Sequence, residues 1–202
     1  MENVKYLTMP LDEATVRELK VGDVVYLTGD ILTARDMGHL NMRKLMEKGA
    51  ELPYDLKGRA VFHAGPVCLR NPDGSWRLNV IGPTTSIRME PYADMVGQLG
   101  VNAVIGKGGM DQGTLDACAK YGYVYLQAPP GCAALLAQGI VGVNNADKDP
   151  VWFEMGMPEA LWSLKADKFG PMIVGMDTHG NSIYKDTRAR AAVVKSELYP
   201  EK

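Results

Sequence analysis

The stretch VNAVIGKGGMDQGTLDACAKYGYVYLQAPPGCAALLAQ, residues 101–138, decides the fold class. Residues 101–105 are a short apolar run rich in β-branched side chains, and the glycine-rich turn GKGG at 106–109 ends it. A helical pattern follows from Gly113 to Lys120. Residues 123–126 then form a second strand, Ala128-Pro-Pro-Gly131 a second turn, and residues 132–138 a second helix. A strand, loop and helix repeated in this order predicts an α/β fold with a mostly parallel or mixed sheet covered by helices, because parallel strands need a crossover that a helix supplies.

The flanking segments extend this pattern. Residues 24–27 are β-prone and end at Thr28-Gly-Asp30, and residues 36–48 read as a helix stopped by Gly49. Residues 60–62 are a further strand, and the turn Asn71-Pro-Asp-Gly74 predicts a hairpin joining it to a strand at 76–81. Residues 91–99 read as a helix, with Pro91 in its first turn and Gly100 after its end. A late hairpin is predicted from residues 172–176 and 182–184 around a turn at 177–181, and the charged tail after Lys185 reads as a solvated helix. No repeat, low-complexity segment or linker interrupts the chain, so the sequence predicts a single domain over residues 1–202.

Composition excludes several classes of protein. With 202 residues, 46% hydrophobic and 23% charged, the chain has enough apolar material for one sizeable core and is neither disordered nor fibrous. A net charge of −2 with scattered basic residues gives no footprint for nucleic acid. The start, MENVKYLTMPLDEATVREL, lacks the basic and apolar regions of a secretory signal, and the longest apolar stretch is broken by Gln138. A cytoplasmic location without a membrane span is the expectation. Cys68, Cys118 and Cys132 are odd in number and far apart, which argues against both a disulfide framework and a CxxC metal knuckle. No metal-ligand set is therefore assigned to this chain.

In open α/β sheets, ligands bind beyond the carboxyl ends of strands. Arg35, Arg88 and Lys107 each follow a predicted strand, so three exits can meet on one small anion. Arginine offers a planar fork and lysine a point charge, a set suited to a dicarboxylate. Each residue also has a plainer reading. Arg35 beside Asp36 makes a local ion pair, and Lys107 is a turn lysine in GKGG, which lacks the GxxxxGK[ST] phosphate-loop pattern. Thr84 and Thr85, after Gly82-Pro83, read either as helix caps or as hydroxyls beside a ligand. His63, at the strand exit in FHAGP, either orients a substrate oxygen or is a hydrogen-bonded histidine near the core. His39 reads as such a core histidine, and His179 as a turn residue.

Six segments taken together carry a resemblance: VGDVVYLTGDILTARDMGHL (21–40), LPYDLKGRAVFHAGP (52–66), IGPTTSIRM (81–89), VIGKGGM (104–110), MPEALW (157–162) and FGPMIVGMDTHGN (169–181). In these the chain resembles the small (β) subunit of the iron–sulfur hydro-lyases that comprise class I fumarate hydratase and L(+)-tartrate dehydratase. The resemblance implies a swivelling β/β/α domain that covers the active site of a larger α subunit in a hetero-oligomer. It also implies a [4Fe-4S] cluster carried by that partner, and a chain that is inactive alone. The implied reaction is reversible hydration or dehydration of a C4 dicarboxylate, fumarate and malate first and L(+)-tartrate as the alternative. Position by position, the ARD motif puts Arg35 on a substrate carboxylate, and GPTTxxR makes Thr84 the base and Arg88 a second carboxylate ligand, with Lys107 completing the anion site. An aliphatic hydroxyl is a weak base at neutral pH, and Asp36 is the chemically easier group to share the proton transfer. A non-catalytic subunit that binds carboxylates or stabilises its partner is a further alternative.

Overall fold

The computed structural model describes residues 3–145 and 148–199, so both ends of the predicted 1–202 domain lie outside the described residues. In chain order the elements are β1 (Val4–Thr8), α1 (Glu13–Arg17), β2 (Val24–Thr33), α2 (Asp36–Glu47), β3 (Ala60–Phe62), β4 (Val67–Arg70) and β5 (Trp76–Val80). A 3-10 helix over Ser86–Tyr92 runs directly into α3 (Ala93–Gln98). Then follow β6 (Ala103–Gly106), α4 (Gln112–Tyr121), β7 (Val124–Gln127), α5 (Ala133–Ala137), β8 (Ile140–Val143), a 3-10 turn at Phe153–Met155, β9 (Ser163–Met176) and α6 (Ile183–Leu198).

The main sheet has the order β1-β2-β3-β6-β7-β9-β8, and β9 pairs with β2 as well. The first four pairings are parallel, while β9 runs antiparallel to β2, β7 and β8. The extra pairing closes β2, β3, β6, β7 and β9 into a five-strand barrel. Strand β2 serves two partners in succession, β1 through Thr28 and β3 from Ile31. The change of partner falls beside Gly29, whose φ of 113° and close approach to Met9 leave no room for a side chain.

Two cores result from the strict alternation of side chains along the strands. Ala60 and Phe62 of β3 point into the first, with Leu27, Ile31, Ile105, Leu126, Phe169 and Val174. Val61 between them points into the second, where Met42 of α2, Met89, Val96 of α3 and Leu115 of α4 cover the sheet. The unit at 101–138 is present as expected from the sequence, as β6, α4, β7 and α5 with β6 and β7 parallel.

Three expectations are corrected. The hairpin around Asn71–Gly74 uses Val67–Arg70 as its first strand, while Ala60–Phe62 is a central strand of the main sheet. Apolar side chains on both faces suit AVF to a doubly covered strand, whereas VCLR buries one face only. The late hairpin is replaced by a helix start. Ser182 makes a single bridge to Met176 and its hydroxyl accepts from Lys185 N at 3.4 Å, so Ile183 and Tyr184 open α6. The helix predicted at 91–99 begins earlier, as 3-10 turns from Ser86, and takes α geometry only after Pro91, which has no N–H to donate. Among the described residues no helix is long and apolar enough to cross a membrane.

Gly97 of α3 lies against the Tyr121 ring at the end of α4, and a Cβ there would overlap the ring. Gly97→Ala gains about 1 kcal/mol of helix propensity, but overpacking costs about 1–3 kcal/mol. The expected net result is a lower urea midpoint, and an unchanged or raised midpoint would show that the α3–α4 contact yields.

Candidate functional site at the strand exits

Parallel strands β2, β3 and β6 end side by side, and their exits place the polar residues. Ala34 N donates to Phe62 O at 3.0 Å and His63 N to Ile105 O at 2.8 Å, so the chain stays in register for one residue beyond each strand. The turn at 81–88 lies across these exits. Thr84 N donates to His63 O at 2.7 Å, Ser86 N to Lys107 O at 3.1 Å, and Thr85 bridges to Lys107. Arg35 occupies the N-cap position of α2 and Asp36 its first turn, where the helix dipole favours a carboxylate.

Arg88 joins this loop to α2. Its Nε donates to Asp36 Oδ1 at 3.1 Å and its Nη2 to Asp36 Oδ2 at 2.9 Å, a two-pronged pair, while Nη2 also donates to Thr84 Oγ1 at 3.0 Å. The two side chains are 43% and 41% exposed, so the pair contributes about 0–1 kcal/mol to stability and opens easily to a competing anion. Thr84, Arg88 and Asp36 are thus in direct contact, as the sequence allowed but did not specify.

The local Arg35–Asp36 ion pair does not form. Arg35 lies over Gly65, with Nε 3.2 Å from Glu159 Oε1, near enough for charge attraction but not aligned as a hydrogen bond. The other oxygen of Glu159 accepts from Met37 N at 3.1 Å, at the start of α2. Glu159 sits in MPEALW, a segment quoted for the resemblance without any role attached; an isolated carboxylate between Pro158 and an apolar run was its only signal. Lys107 is tied in through its backbone, and its ammonium forms no ion pair among the described residues.

His63 and His39 lie beneath this surface, edge to face with ring centres 5.1 Å apart. His39 Nδ1 donates to Arg35 O at 2.8 Å, since a carbonyl can only accept, which leaves its buried Nε2 without a partner. Burial lowers its pKa from 6.5 to about 4. His63 is pushed well below 6.5 by burial first, and then by His39 and the charge of Arg88. Thr85 stands at the N-cap of the 3-10 helix, but its side chain makes no capping bond. The residue missed in that loop is Ser86, fully buried and hydrogen-bonded to His63, Tyr125 and the Lys107 backbone.

The three cysteines do not meet. Cys68 faces the first core and Cys118 the second, and Cys132 opens α5. Burial raises the Cys68 thiol to about 12 and the Cys118 thiol still further, which opposes the thiolate form that a cluster needs. Among the described residues no group of three or more His, Cys, Asp or Glu side chains is arranged to hold a metal. His179 is a turn residue whose Nε2 lies 2.8 Å from Arg17 O.

The two neutral histidines make stability sensitive to acid. Below pH 6.5 the unfolded chain binds protons on them that the folded chain does not, so stability is full above that pH and falls as pH drops toward 4. For His39 the loss reaches on the order of 3 kcal/mol at about pH 4. Urea unfolding between pH 7.5 and 4.5 measures it, and a flat profile over that range would mean that the imidazoles are not held neutral.

The chain matches the family described as Fumarase C-terminus over residues 2–187. It is 43% identical over 198 residues to a protein of Methanocaldococcus jannaschii named putative L(+)-tartrate dehydratase subunit beta, covering 96% of this chain and 98% of that one. To the L(+)-tartrate dehydratase subunit beta of Escherichia coli it is 42% identical over 198 residues, covering 98% of this chain and 94% of that protein. To a putative fumarate hydratase class I of Geobacillus stearothermophilus it is 45% identical over 181 residues, which are 89% of this chain and 33% of the longer protein. Sequence matches that run from the first strand into the last helix, through every strand exit of the site, place the chain in the Fumarase C-terminus family.

Proposed function

We propose that this chain is the β subunit of a hydro-lyase that reversibly hydrates or dehydrates a C4 dicarboxylate, with fumarate and malate as the first reading. The names of its relatives support the reaction class, and the contact of Arg88 with both Asp36 and Thr84 carries the assignment to this site. A substrate carboxylate takes the place of Asp36 on the Arg88 fork, and Arg35 and Lys107 supply the further cations. His63, uncharged, hydrogen-bonds a substrate oxygen. In dehydration, a proton leaves the carbon next to one carboxylate while the hydroxyl leaves the adjacent carbon, so negative charge builds on that carboxylate. Fixed cations stabilise this charge more than they stabilise the ground state, which lowers the barrier.

Thr84 is assigned the proton transfer at that carbon. The Arg88 guanidinium against its oxygen favours negative charge developing there. Asp36, displaced from Arg88 by substrate, is adjacent and shares the task.

The dispersed cysteines, of which burial holds Cys68 and Cys118 as thiols, do not fit an iron–sulfur cluster. The [4Fe-4S] cluster implied by the resemblance is therefore assigned to a separate α subunit. On this reading the barrel and its helices are one swivelling domain that closes over the partner's site in a cytoplasmic hetero-oligomer. L(+)-tartrate is the second reading, favoured by one observation: the tartrate dehydratase β subunits match over 98% and 94% of their own length, the fumarate hydratase over only 33%.

Anaerobic coexpression with the α subunit, followed by assays on malate and both tartrate enantiomers, tests the proposal. Dehydration of malate or L(+)-tartrate is expected, and a complex active on none of them removes the hydro-lyase reading. Thr84→Ala is expected to lower kcat about 10²–10⁴-fold, the range for loss of a general base. Arg88→Ala is expected to raise KM and lower kcat together. Near-normal turnover in both variants would instead make the chain a non-catalytic stabilising subunit.

A further inference from the structure

Ser86 is enclosed between two exposed neighbours in sequence, Thr85 and Ile87, and its hydroxyl is crowded. Tyr125 OH donates to Ser86 Oγ at 3.1 Å and Lys107 N donates to it at 3.2 Å. A third group, His63 Nδ1, lies 3.0 Å away. A serine hydroxyl has two acceptor lone pairs and one proton. With both lone pairs engaged by donors, the proton points at His63 Nδ1, and the imidazole must carry its own hydrogen on Nε2. The touching imidazole of His39 has the opposite tautomer, because its Nδ1 faces the Arg35 carbonyl.

The same residue holds the backbone of Lys107 at both ends. Its N–H donates to Lys107 O at 3.1 Å while its hydroxyl accepts from Lys107 N. Gly106 makes this approach possible, since a Cβ at that position would overlap Ser86 Oγ. The Thr84–Arg88 turn is therefore fastened to the strand exit of Lys107 by one residue, through its backbone N–H and through a side chain that touches no solvent.

We propose that Ser86 is a positioning residue: it clamps the turn bearing Thr84 and Arg88 to the strand exit bearing Lys107, and it holds His63 as the Nε2–H tautomer, fixing the spacing of the groups that meet a dicarboxylate. The catalytic part of this inference rests on the hydro-lyase reading; the hydrogen-bond part does not. Loss of the hydroxyl leaves only backbone bonds to set the spacing of the proton-transfer group and the two cations, and a displacement of about 1 Å costs about a hundredfold in rate.

Long-range ¹H–¹⁵N spectra of the histidine-labelled full chain at pH 7, assigned with single His→Gln variants, read the tautomers directly. The expected result is Nε2–H for His63 and Nδ1–H for His39. An Nδ1–H or cationic His63 overturns the clamp whatever the enzyme does. Ser86→Ala is expected to release His63 into a tautomer mixture and, in the complex with the α subunit, to lower kcat/KM by about tenfold to a hundredfold. Ser86→Cys, which keeps a weak donor, is expected to recover part of both effects. Wild-type kinetics with Ser86→Ala sink the positioning role. If the alanine variant does not fold, the wild-type spectrum and the cysteine variant decide. A wild-type complex inactive on malate and both tartrates removes the hydro-lyase reading instead, and the tautomer result still judges the clamp.

Discussion

The double pairing of β9 is the constraint on which the rest of the structure depends. Ile173 alone is in register with Val24 on one edge of the strand and Gln127 on the other, and the strand is long enough to run along β2 and still reach β7. That closure turns a row of parallel strands into a barrel, forces side chains of β2, β3 and β6 alternately inward and toward the helices, and sets their ends beside one another. Arg35, His63 and Lys107 are neighbours because their strands are neighbours in this ring. No local propensity would put three residues this far apart in sequence at one rim.

The rim combines two electrostatic regimes. On the surface, Arg88 and Asp36 form an exposed pair that water screens, so its partners can exchange at small cost. Below it, His39 and His63 are shut away from water, remain uncharged at neutral pH and orient through fixed hydrogen bonds. The proposed site for a doubly charged substrate gains from both: cations that can change partner, mounted on a dry layer that does not move with them. Glu159 and Ser86 belong to the supporting layer, one fixing Arg35 at the start of α2 and the other tying the 81–88 turn to Lys107.

The family assignment fits this division of labour. A chain with cations and a hydroxyl at one open rim, and with Cys68 and Cys118 in separate cores, suits the proposed role as one part of a hydro-lyase. The match to one third of a longer fumarate hydratase, and to nearly the whole of separate tartrate dehydratase β subunits, agrees with a unit that is fused in some relatives and separate in others.

The sequence by itself determined the α/β class, the strand–turn–helix unit at 101–138, helix α2 and the cations that follow strands, because apolar periodicity and glycine or proline stops act within a few residues. It did not show the first half of β9, whose segment LKADKFGP mixes charges with a Gly-Pro that normally argues against a central strand. In the fold that Gly-Pro falls in a register shift between Phe169 and Met172, where a strand tolerates a proline. The partners of the site residues were equally out of reach. Arg88 meets Asp36 across 52 positions, Ser86 meets Tyr125 across 39, and Met37 meets Glu159 across 122. Which hydroxyl caps, which imidazole is buried and which carboxylate an arginine chooses depend on strand order and barrel closure, so only the tertiary structure decided them.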